Sequence, residues 1–185
     1  MNKDGIVNDN DRTYIGSPHP KFTAGINTDV SYKGVTLSAF FYARYGNKVA
    51  NYLRRFFDFT QFAGQRSKLR LYESWGSPYL KSNADAAMPL ADQSTISMYP
   101  STYFLEDGSF LRLKTLQLSY VLPKTFSQKL TLSRMEAYIQ ASNLFTLTKY
   151  KGLDPEISVG GIDAGVDASQ WPTTRQIVFG IKLDI

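Results

Sequence analysis

FTAGINTDVSYKGVTLSAFFYARY, residues 22 to 45, is the stretch that decides the fold. Apolar and polar side chains alternate along its first half, and Thr28 is the one interruption of the apolar series. Alternation with a period of two is typical of a β-strand with one apolar and one polar side. Lys33-Gly34 follows as a two-residue turn, and the run from Val35 alternates again. This stretch therefore predicts a β-hairpin.

The register of this hairpin follows from the position of the turn. A two-residue loop pairs Tyr32 with Val35, and apolar residues then face apolar residues on one side of the sheet. The position of the turn and the alternation are independent signals, and they agree. The predicted pairs are Val30–Leu37, Ile26–Phe41 and Phe22–Tyr45 on the apolar side, and Asp29–Ser38, Thr23–Arg44 and Gly25–Tyr42 on the polar side.

Three further segments alternate in the same way. In residues 109–122 the apolar series moves from odd to even positions, which predicts a β-bulge near Lys114-Thr115. Pro123 ends this strand, because proline has no N–H to donate to a ladder. Residues 134–150 and 175–185 complete the series. The sequence therefore predicts an all-β fold, an antiparallel meander of about five long strands.

The connections between these strands alternate in length. Lys33-Gly34 and residues 123–133 are the shorter ones, while residues 47–106 and 151–174 are long loops. A short helix is predicted at residues 66–75, RSKLRLYESW, in the first long loop. Short turns at one end and long loops at the other are typical of outer-membrane barrels. Strands of about 11 residues suit a tilted crossing of a bilayer, so we expect part of a transmembrane β-barrel with long external loops.

Composition excludes several classes of protein. The 185 residues include no cysteine, which excludes disulfide scaffolds, thiol catalysis and cysteine–zinc sites. No stretch approaches the ~18 apolar residues of a membrane helix. The start of the chain has no apolar region of an export signal, as expected of a cytosolic protein or of a chain whose true N-terminus is missing. The net charge of +5 comes from scattered residues, so we expect no nucleic-acid partner.

The last strand is amphipathic and ends on an apolar side chain. In a barrel the last strand pairs with the first, so neither edge stays bare. Residues 173–185, TTRQIVFGIKLDI, also look like the C-terminal sorting signal of outer-membrane proteins. Ile185 stands where an aromatic residue is usual, and Val178 where a polar one is usual. A soluble β-sandwich that ends on such a strand is the alternative for this segment.

Longer blocks resemble a known family. DGSFLRLKTLQLSYVLP (107–123), NLFTLTKYKGLDPE (143–156) and WPTTRQIVFGIKLDI (171–185) resemble the C-terminal part of SusC/RagA-like TonB-dependent outer-membrane transporters. DRTYIGSPHPKFTAGINTDVSYKGVTLSAFFYARYGN (11–47) looks like the block that precedes it in this family. The resemblance covers most of the chain in the family's order, and residues 48–106 are its least typical part.

The resemblance implies a plugged barrel of about 22 strands in the cell outer membrane. Residues 1–185 would be a C-terminal fragment with the last five strands, inactive alone, in which the plug domain and the N-terminal barrel strands are absent. The C-terminus would be periplasmic and the long loops extracellular. The implied function is TonB-dependent uptake of nutrients, either oligosaccharides and glycans or peptides. The implied partners are the rest of the barrel with its plug domain, a SusD-like surface lipoprotein, the TonB complex and outer-membrane lipid.

Two other hypotheses compete with a transporter fragment. The first is a soluble all-β carbohydrate-binding module that uses aromatic residues in the loops. The second is a small complete barrel, against which the odd number of strands argues. A transporter fragment differs from a soluble module in one observable respect. The apolar face of residues 22–32 would be exposed as a band in the fragment and covered by protein in the module.

The start of the chain resembles a calcium loop of the EF-hand type. Asn2 would be the third position, Asp4 the fifth, Gly5 the sharp turn, Ile6 a carbonyl ligand and Asp11 the twelfth. The first ligand would precede residue 1, and an aspartate at the twelfth position weakens affinity relative to a bidentate glutamate. We expect a weak calcium site in the intact protein, and the alternative is a polar turn in a solvated loop. We expect no other cofactor.

No catalytic arrangement is predicted. His19 is the single histidine, and it lies between two prolines without marked partners. Asp154 with Glu156, and Asp163 with Asp167, are paired carboxylates in flexible segments that lack the fixed separation of a glycosidase. We therefore expect that the chain is not an enzyme.

Aromatic residues fall on both sides of the predicted sheet. Those on the polar side either pack against a plug or stack on sugars, and they are Phe40, Tyr42 and Tyr138. Four others suit interfacial girdles, and they are Tyr32, Tyr45, Tyr120 and Trp171. No ligand-binding residue follows from this pattern.

Overall fold

The computed structural model describes residues 8–59, 67–90, 100–158 and 160–185. Among these residues, no helix is long and apolar enough to cross a membrane. The strands are β1 Phe22–Tyr32, β2 Val35–Tyr45, β3 Lys48–Asn51, β4 Leu105–Asp107, β5 Phe110–Val121, β6 Arg134–Thr148, β7 Val166–Asp167 and β8 Gln176–Asp184. The α-helices are α1 Leu53–Asp58, α2 Leu69–Glu73 and α3 Lys124–Lys129.

The chain divides into two compact units. The sheet unit, as we call it, comprises residues 20–46, 108–150 and 171–185. The loop unit comprises residues 1–19, 47–107 and 151–170.

Five long antiparallel strands form the sheet unit. Their order is β1-β2-β5-β6-β8, so each strand pairs with the next long strand along the chain. The five predicted segments agree with these strands within two residues at either end. The predicted antiparallel meander of five strands is therefore confirmed.

The first hairpin has the predicted register. Ile26 pairs with Phe41, and all other predicted pairs are also observed. Lys33 and Gly34 have φ values of 47° and 86°, which are the positive values that the tight type I′ turn requires at both central residues. The turn therefore fixes the register that the alternation predicts.

The predicted bulge is present in β5. Phe40 pairs with Thr115, whereas Phe41 pairs with Leu113, so that Lys114 is the extra residue of the bulge. The extra residue moves the apolar series from odd to even positions and keeps it on one face of the sheet.

A small second sheet lies in the loop unit. β3 pairs with β4 in antiparallel and with β7 in parallel orientation. Val49 on β3 and Phe104 are fully buried, and Phe104 packs in a cluster of aromatic rings with Phe59, Tyr52 and Tyr103. The sequence analysis predicts a short helix in the first long loop and none of these three strands. Strands of two to four residues are too short for alternation to predict them.

The predicted helix in the first long loop is shorter than expected. α2 covers Leu69–Glu73, which lies inside the predicted segment 66–75, and Arg66 lies outside the described residues. A second helix, α1, precedes it and was not predicted.

Candidate functional site

One face of the five-stranded sheet is apolar from β1 to β8. Apart from Thr28, every residue on this face is apolar. Ile26, Val30 and Phe179 are 61%, 59% and 76% exposed, so the described part of the sheet unit places no second layer over them. One row of neighbours across the five strands is Val30, Leu37, Leu118, Ile139 and Phe179.

Aromatic rings mark both ends of this apolar face. The rings of Phe22 and Tyr45 stack with centroids 5.4 Å apart at one end. Tyr32 and Tyr120 lie in one row across the strands at the other end, and both are exposed. The pattern is that of a membrane-facing surface with an interfacial residue at each boundary.

The opposite face of the sheet is polar and carries cations among aromatic rings. Arg112 donates from Nε to Thr146 Oγ1 at 2.8 Å and from Nη1 to Thr173 Oγ1 at 2.7 Å. Its guanidinium carbon lies 5.5 Å from the centre of the Phe110 ring. The Tyr42 ring is 5.8 Å from that of Phe110. The end of the polar face around Arg112 is suited to contact with another polar protein surface or with water.

A second polar cluster lies at the other end of the same face. Arg134 Nη2 donates to Glu136 Oε2 at 2.6 Å, and Lys182 Nζ lies 3.6 Å from Glu136 Oε1. Lys182 Nζ also lies 5.2 Å from the centre of the Tyr138 ring. Tyr138 covers Gly180, its partner across β6 and β8. These contacts connect the last two strands through their side chains.

Buried carboxylates organise the loop unit. Asp58 Oδ2 accepts from Arg54 Nε at 2.9 Å and from the Tyr103 hydroxyl at 2.7 Å. Burial and this hydrogen bond to the Asp58 carboxylate raise the pKa of Tyr103 above its usual value. Glu106 accepts from Asn51 Nδ2 at 3.1 Å. No sequence signal marks the contacts of Asp58 with Tyr103 and of Asn51 with Glu106, because the partners lie 45 and 55 residues apart along the chain.

The predicted calcium loop is only partly described. Asn2, Asp4 and Ile6 lie outside the described residues. Asp11 is described, and its Oδ2 accepts from the backbone N–H of Asn8 at 3.1 Å in a capping box. The calcium site stays a prediction.

Two of the other carboxylates that the sequence singles out accept hydrogen bonds from nearby backbone N–H groups. Asp154 Oδ1 accepts from the backbone N–H of Glu156 at 2.9 Å, and Asp167 Oδ1 accepts from that of Ser169 at 3.0 Å. Asp163 is exposed in a short 3₁₀ turn. In the described part of the chain, no group of three His, Cys, Asp or Glu residues could hold a metal ion.

The aromatic residues lie on the predicted faces. Phe40, Tyr42 and Tyr138 are on the polar face, where their side chains are half-buried, and whether they contact a plug or a sugar stays a prediction. Trp171, which was assigned to an interfacial girdle, is 90% exposed and lies just before β8.

Comparison with known proteins gives these surfaces a context. TonB-dependent receptor P3 of Formosa agariphila is 30% identical over 190 residues, which cover 99% of this chain and 18% of that receptor. TonB-dependent receptor SusC of Bacteroides thetaiotaomicron is 29% identical over 186 residues, which cover 98% of this chain and 17% of that receptor. No protein-family model matches the chain.

A solved structure gives the same result. The RagAB peptide importer in the open-open state matches with a TM-score of 0.70 and 34% identity, over 90% of this chain and 17% of that one. The chain spans less than a fifth of the length of these relatives. Relatives of this type are transporters rather than enzymes, in agreement with the expectation from sequence. By sequence and by fold, the chain is homologous over nearly its whole length to a segment of the SusC/RagA-type TonB-dependent receptors.

Proposed function

We propose that the chain forms the last five strands of a plugged barrel in the outer membrane and takes part in TonB-dependent nutrient uptake. The observation that carries this proposal is the continuous apolar face of β1, β2, β5, β6 and β8, which is exposed while the opposite face is polar. A single sheet with lipid on one side and an aqueous lumen on the other needs this distribution.

The length of the apolar face supports the same proposal. From Phe22 to Tyr32 the backbone extends roughly 33 Å, at about 3.3 Å per residue. With the tilt of about 40° that is usual in outer-membrane barrels, this length covers about 25 Å along the membrane normal, which is the usual height of the apolar band. The aromatic residues at the two ends would then lie at the two interfaces.

The finer parts of the proposal concern partners and substrate. We propose that β1 and β8 pair with the remaining strands of the barrel, because each lies at an edge of the sheet and exposes unpaired backbone groups there. We propose that a SusD-like surface lipoprotein is the partner on the side of the long loops, by analogy with the RagAB importer. We propose peptides or glycans as the substrate class. The choice between the two depends on barrel strands and a plug domain outside this chain.

The alternative of a soluble carbohydrate-binding module has less support. Such a module needs a second layer over the apolar face of the sheet. Among the described residues of the sheet unit, Ile26 and Phe179 have no such layer over them and are largely exposed. Homology to TonB-dependent receptors over nearly the whole chain also favours the transporter.

Substitution of two adjacent residues of β1 tests the proposal in the full-length receptor. Ile26→Arg places a charge on the apolar face and should hinder insertion, at a cost of about 2–4 kcal/mol near the bilayer midplane. Asn27→Arg places the same charge on the polar face and should be tolerated. The measurement is the fraction of receptor that resists extraction of membranes by urea. Equal effects of the two substitutions would refute the assignment of the faces.

A further inference from the structure

The two units of the chain differ strongly in charge. The sheet unit has 11 lysine and arginine residues and three aspartate and glutamate residues, whereas the loop unit has 10 and 13. The net charges are therefore +8 and −3. The chain between Ser109 and Ser133 contains no acidic residue. A basic surface on the sheet unit favours an anionic partner.

The part of this unit at the turn Lys33-Gly34 combines cations with exposed apolar side chains. The backbone N–H of Val121 donates to Gly34 O at 2.8 Å, so the end of β5 and the turn lie side by side. Tyr32 and Tyr120 close the apolar face at this end. Lys33 Nζ lies 5.2 Å from the centre of the Tyr32 ring, which places a cation at the boundary of the apolar face.

Helix α3 continues this end of the sheet directly after β5. Phe126 lies in the helix and Leu130 directly follows its last residue, and the two side chains are 50% and 53% exposed. The buried residue of the helix is Ser127. Lys124 and Lys129 are exposed beside the apolar pair. An exposed apolar pair among lysines is typical of segments that lie in a membrane interface.

The acidic residues at this end of the sheet lie on the other face. Glu136 is on the polar face and contacts both Arg134 and Lys182. Asp184 is on the same polar face, in register with Arg134. Neither carboxylate therefore lies on the apolar face, at whose boundary Lys33 contacts the Tyr32 ring.

We propose that this end of the sheet unit is a docking surface for the headgroups of anionic phospholipids. Phe126 and Leu130 insert at the boundary of the hydrocarbon region, and Lys33, Lys124 and Lys129 contact lipid phosphates. The inference rests on the proposed function, because it requires that the apolar face of the sheet contacts lipid. It adds a lipid preference, which the barrel alone does not require.

The test uses the full-length receptor purified in a neutral detergent. Phosphatidylglycerol or phosphatidylcholine is added, and native mass spectrometry counts the lipids retained. We expect the wild type to retain more phosphatidylglycerol. The double substitution Lys124→Glu and Lys129→Glu should lower the ratio of the two retained lipids by about 25-fold or more, because each lysine near an anionic surface contributes on the order of a fivefold factor. Lys124→Gln with Lys129→Gln should give a smaller decrease.

A matched control makes the same change of charge in the loop unit. Lys68→Glu with Lys81→Glu alters two exposed lysines and should leave the ratio unchanged. An unaltered ratio in the Lys124/Lys129 variants, or an equal decrease in the control, would overturn the inference. Resistance of the wild type to urea extraction is measured in parallel. If the wild type is not inserted at all, the proposed function fails, whereas normal insertion with an unaltered lipid ratio overturns only the docking surface.

Discussion

Tyr138 on β6 lies over Gly180 on β8, and a Cβ atom at position 180 would overlap with the end of the tyrosine ring. The absence of a side chain at Gly180 therefore leaves room for the end of the Tyr138 ring. Lys182 Nζ then lies 5.2 Å from the centre of this ring. The pairing of the last two strands thus depends on a side-chain contact as well as on the backbone ladder.

The first prediction concerns this contact. Gly180→Ala should displace the Tyr138 ring and destabilise the receptor by about 1–3 kcal/mol, as overpacking does. The measurement is the midpoint of thermal unfolding of the full-length receptor in detergent. Gly180→Ala combined with Tyr138→Ala should be no less stable than Tyr138→Ala alone, because the overlap is then gone. A cost of Gly180→Ala that is equal in both backgrounds would contradict the role of the contact.

The second prediction concerns the buried network of the loop unit. Tyr103→Phe removes the hydrogen bond to the Asp58 carboxylate and should lower the local stability of α1 by about 1.5–3 kcal/mol. The measurement is the amide hydrogen exchange of residues 53–58 in the full-length receptor. Because the pKa of Tyr103 is raised, its contribution is fully present below the ordinary tyrosine pKa of about 10 and is lost only as the pH rises through the higher folded value. Tyr72→Phe, at an exposed tyrosine, is the control and should leave this exchange unchanged.

The third prediction concerns orientation. If the end of β8 is periplasmic, alternation of the strands places residues 123–133 on the same side and residues 47–106 and 151–174 outside the cell. A protease added to intact cells should therefore cut the full-length receptor within 47–106 and spare 123–133. Permeabilised cells provide the control, since residues 123–133 should then become accessible. Cleavage in intact cells within 123–133 but not within 47–106 would reject this orientation.

The long strands were predictable because each has one exposed apolar face, which produces alternation over about ten residues. The bulge at Lys114 was predictable for the same reason, since it shifts the phase of the alternation. A second irregularity in β6, between Ser142 and Phe145, was missed because its two extra residues leave the phase of the alternation unchanged. Its signal was Asn143, which adopts a φ of 53°, and asparagine tolerates this conformation better than most residues do.

The candidate site was less predictable than the strands. Alternation assigned Tyr138 to the polar face, but its contact with Gly180 depends on the register of β6 and β8. The network around Asp58 joins residues far apart in sequence, and the small sheet of β3, β4 and β7 is too short for a periodic signal. Contacts of this kind depend on tertiary structure, which local pattern does not encode.

The fourth prediction concerns calcium. Asp4→Asn in the full-length receptor should weaken calcium binding about tenfold, if the start of the chain is a loop of the EF-hand type with a dissociation constant on the order of 10⁻⁴ M. Isothermal titration of the metal alone gives the constant. Binding would also have to break the contact of Asp11 with the Asn8 backbone, which lowers affinity. Asp9→Asn is the control, because Asp9 is not a predicted ligand. Equal affinity of wild type and Asp4→Asn would exclude this loop.

The fifth prediction concerns residues 1–185 produced alone. In the described part of the chain, β1 and β8 each have a neighbouring strand on one side only, so both edges of the five-stranded sheet expose unpaired backbone groups. The apolar face adds a large surface for association, because side chains such as Ile181 and Leu183 are more than half exposed.

We therefore expect the isolated chain to aggregate in plain buffer and to stay dispersed only in detergent. The measurement is size-exclusion chromatography with light scattering, with and without detergent above its critical micelle concentration. Ile26→Asn with Phe179→Asn lowers the apolar area of this face and should reduce aggregation. The double substitution Thr36→Asn and Gln117→Asn on the polar face should not. A monodisperse monomer that melts cooperatively without detergent would contradict the barrel proposal and support a soluble binding module, since such a chain would have to cover its apolar face by itself.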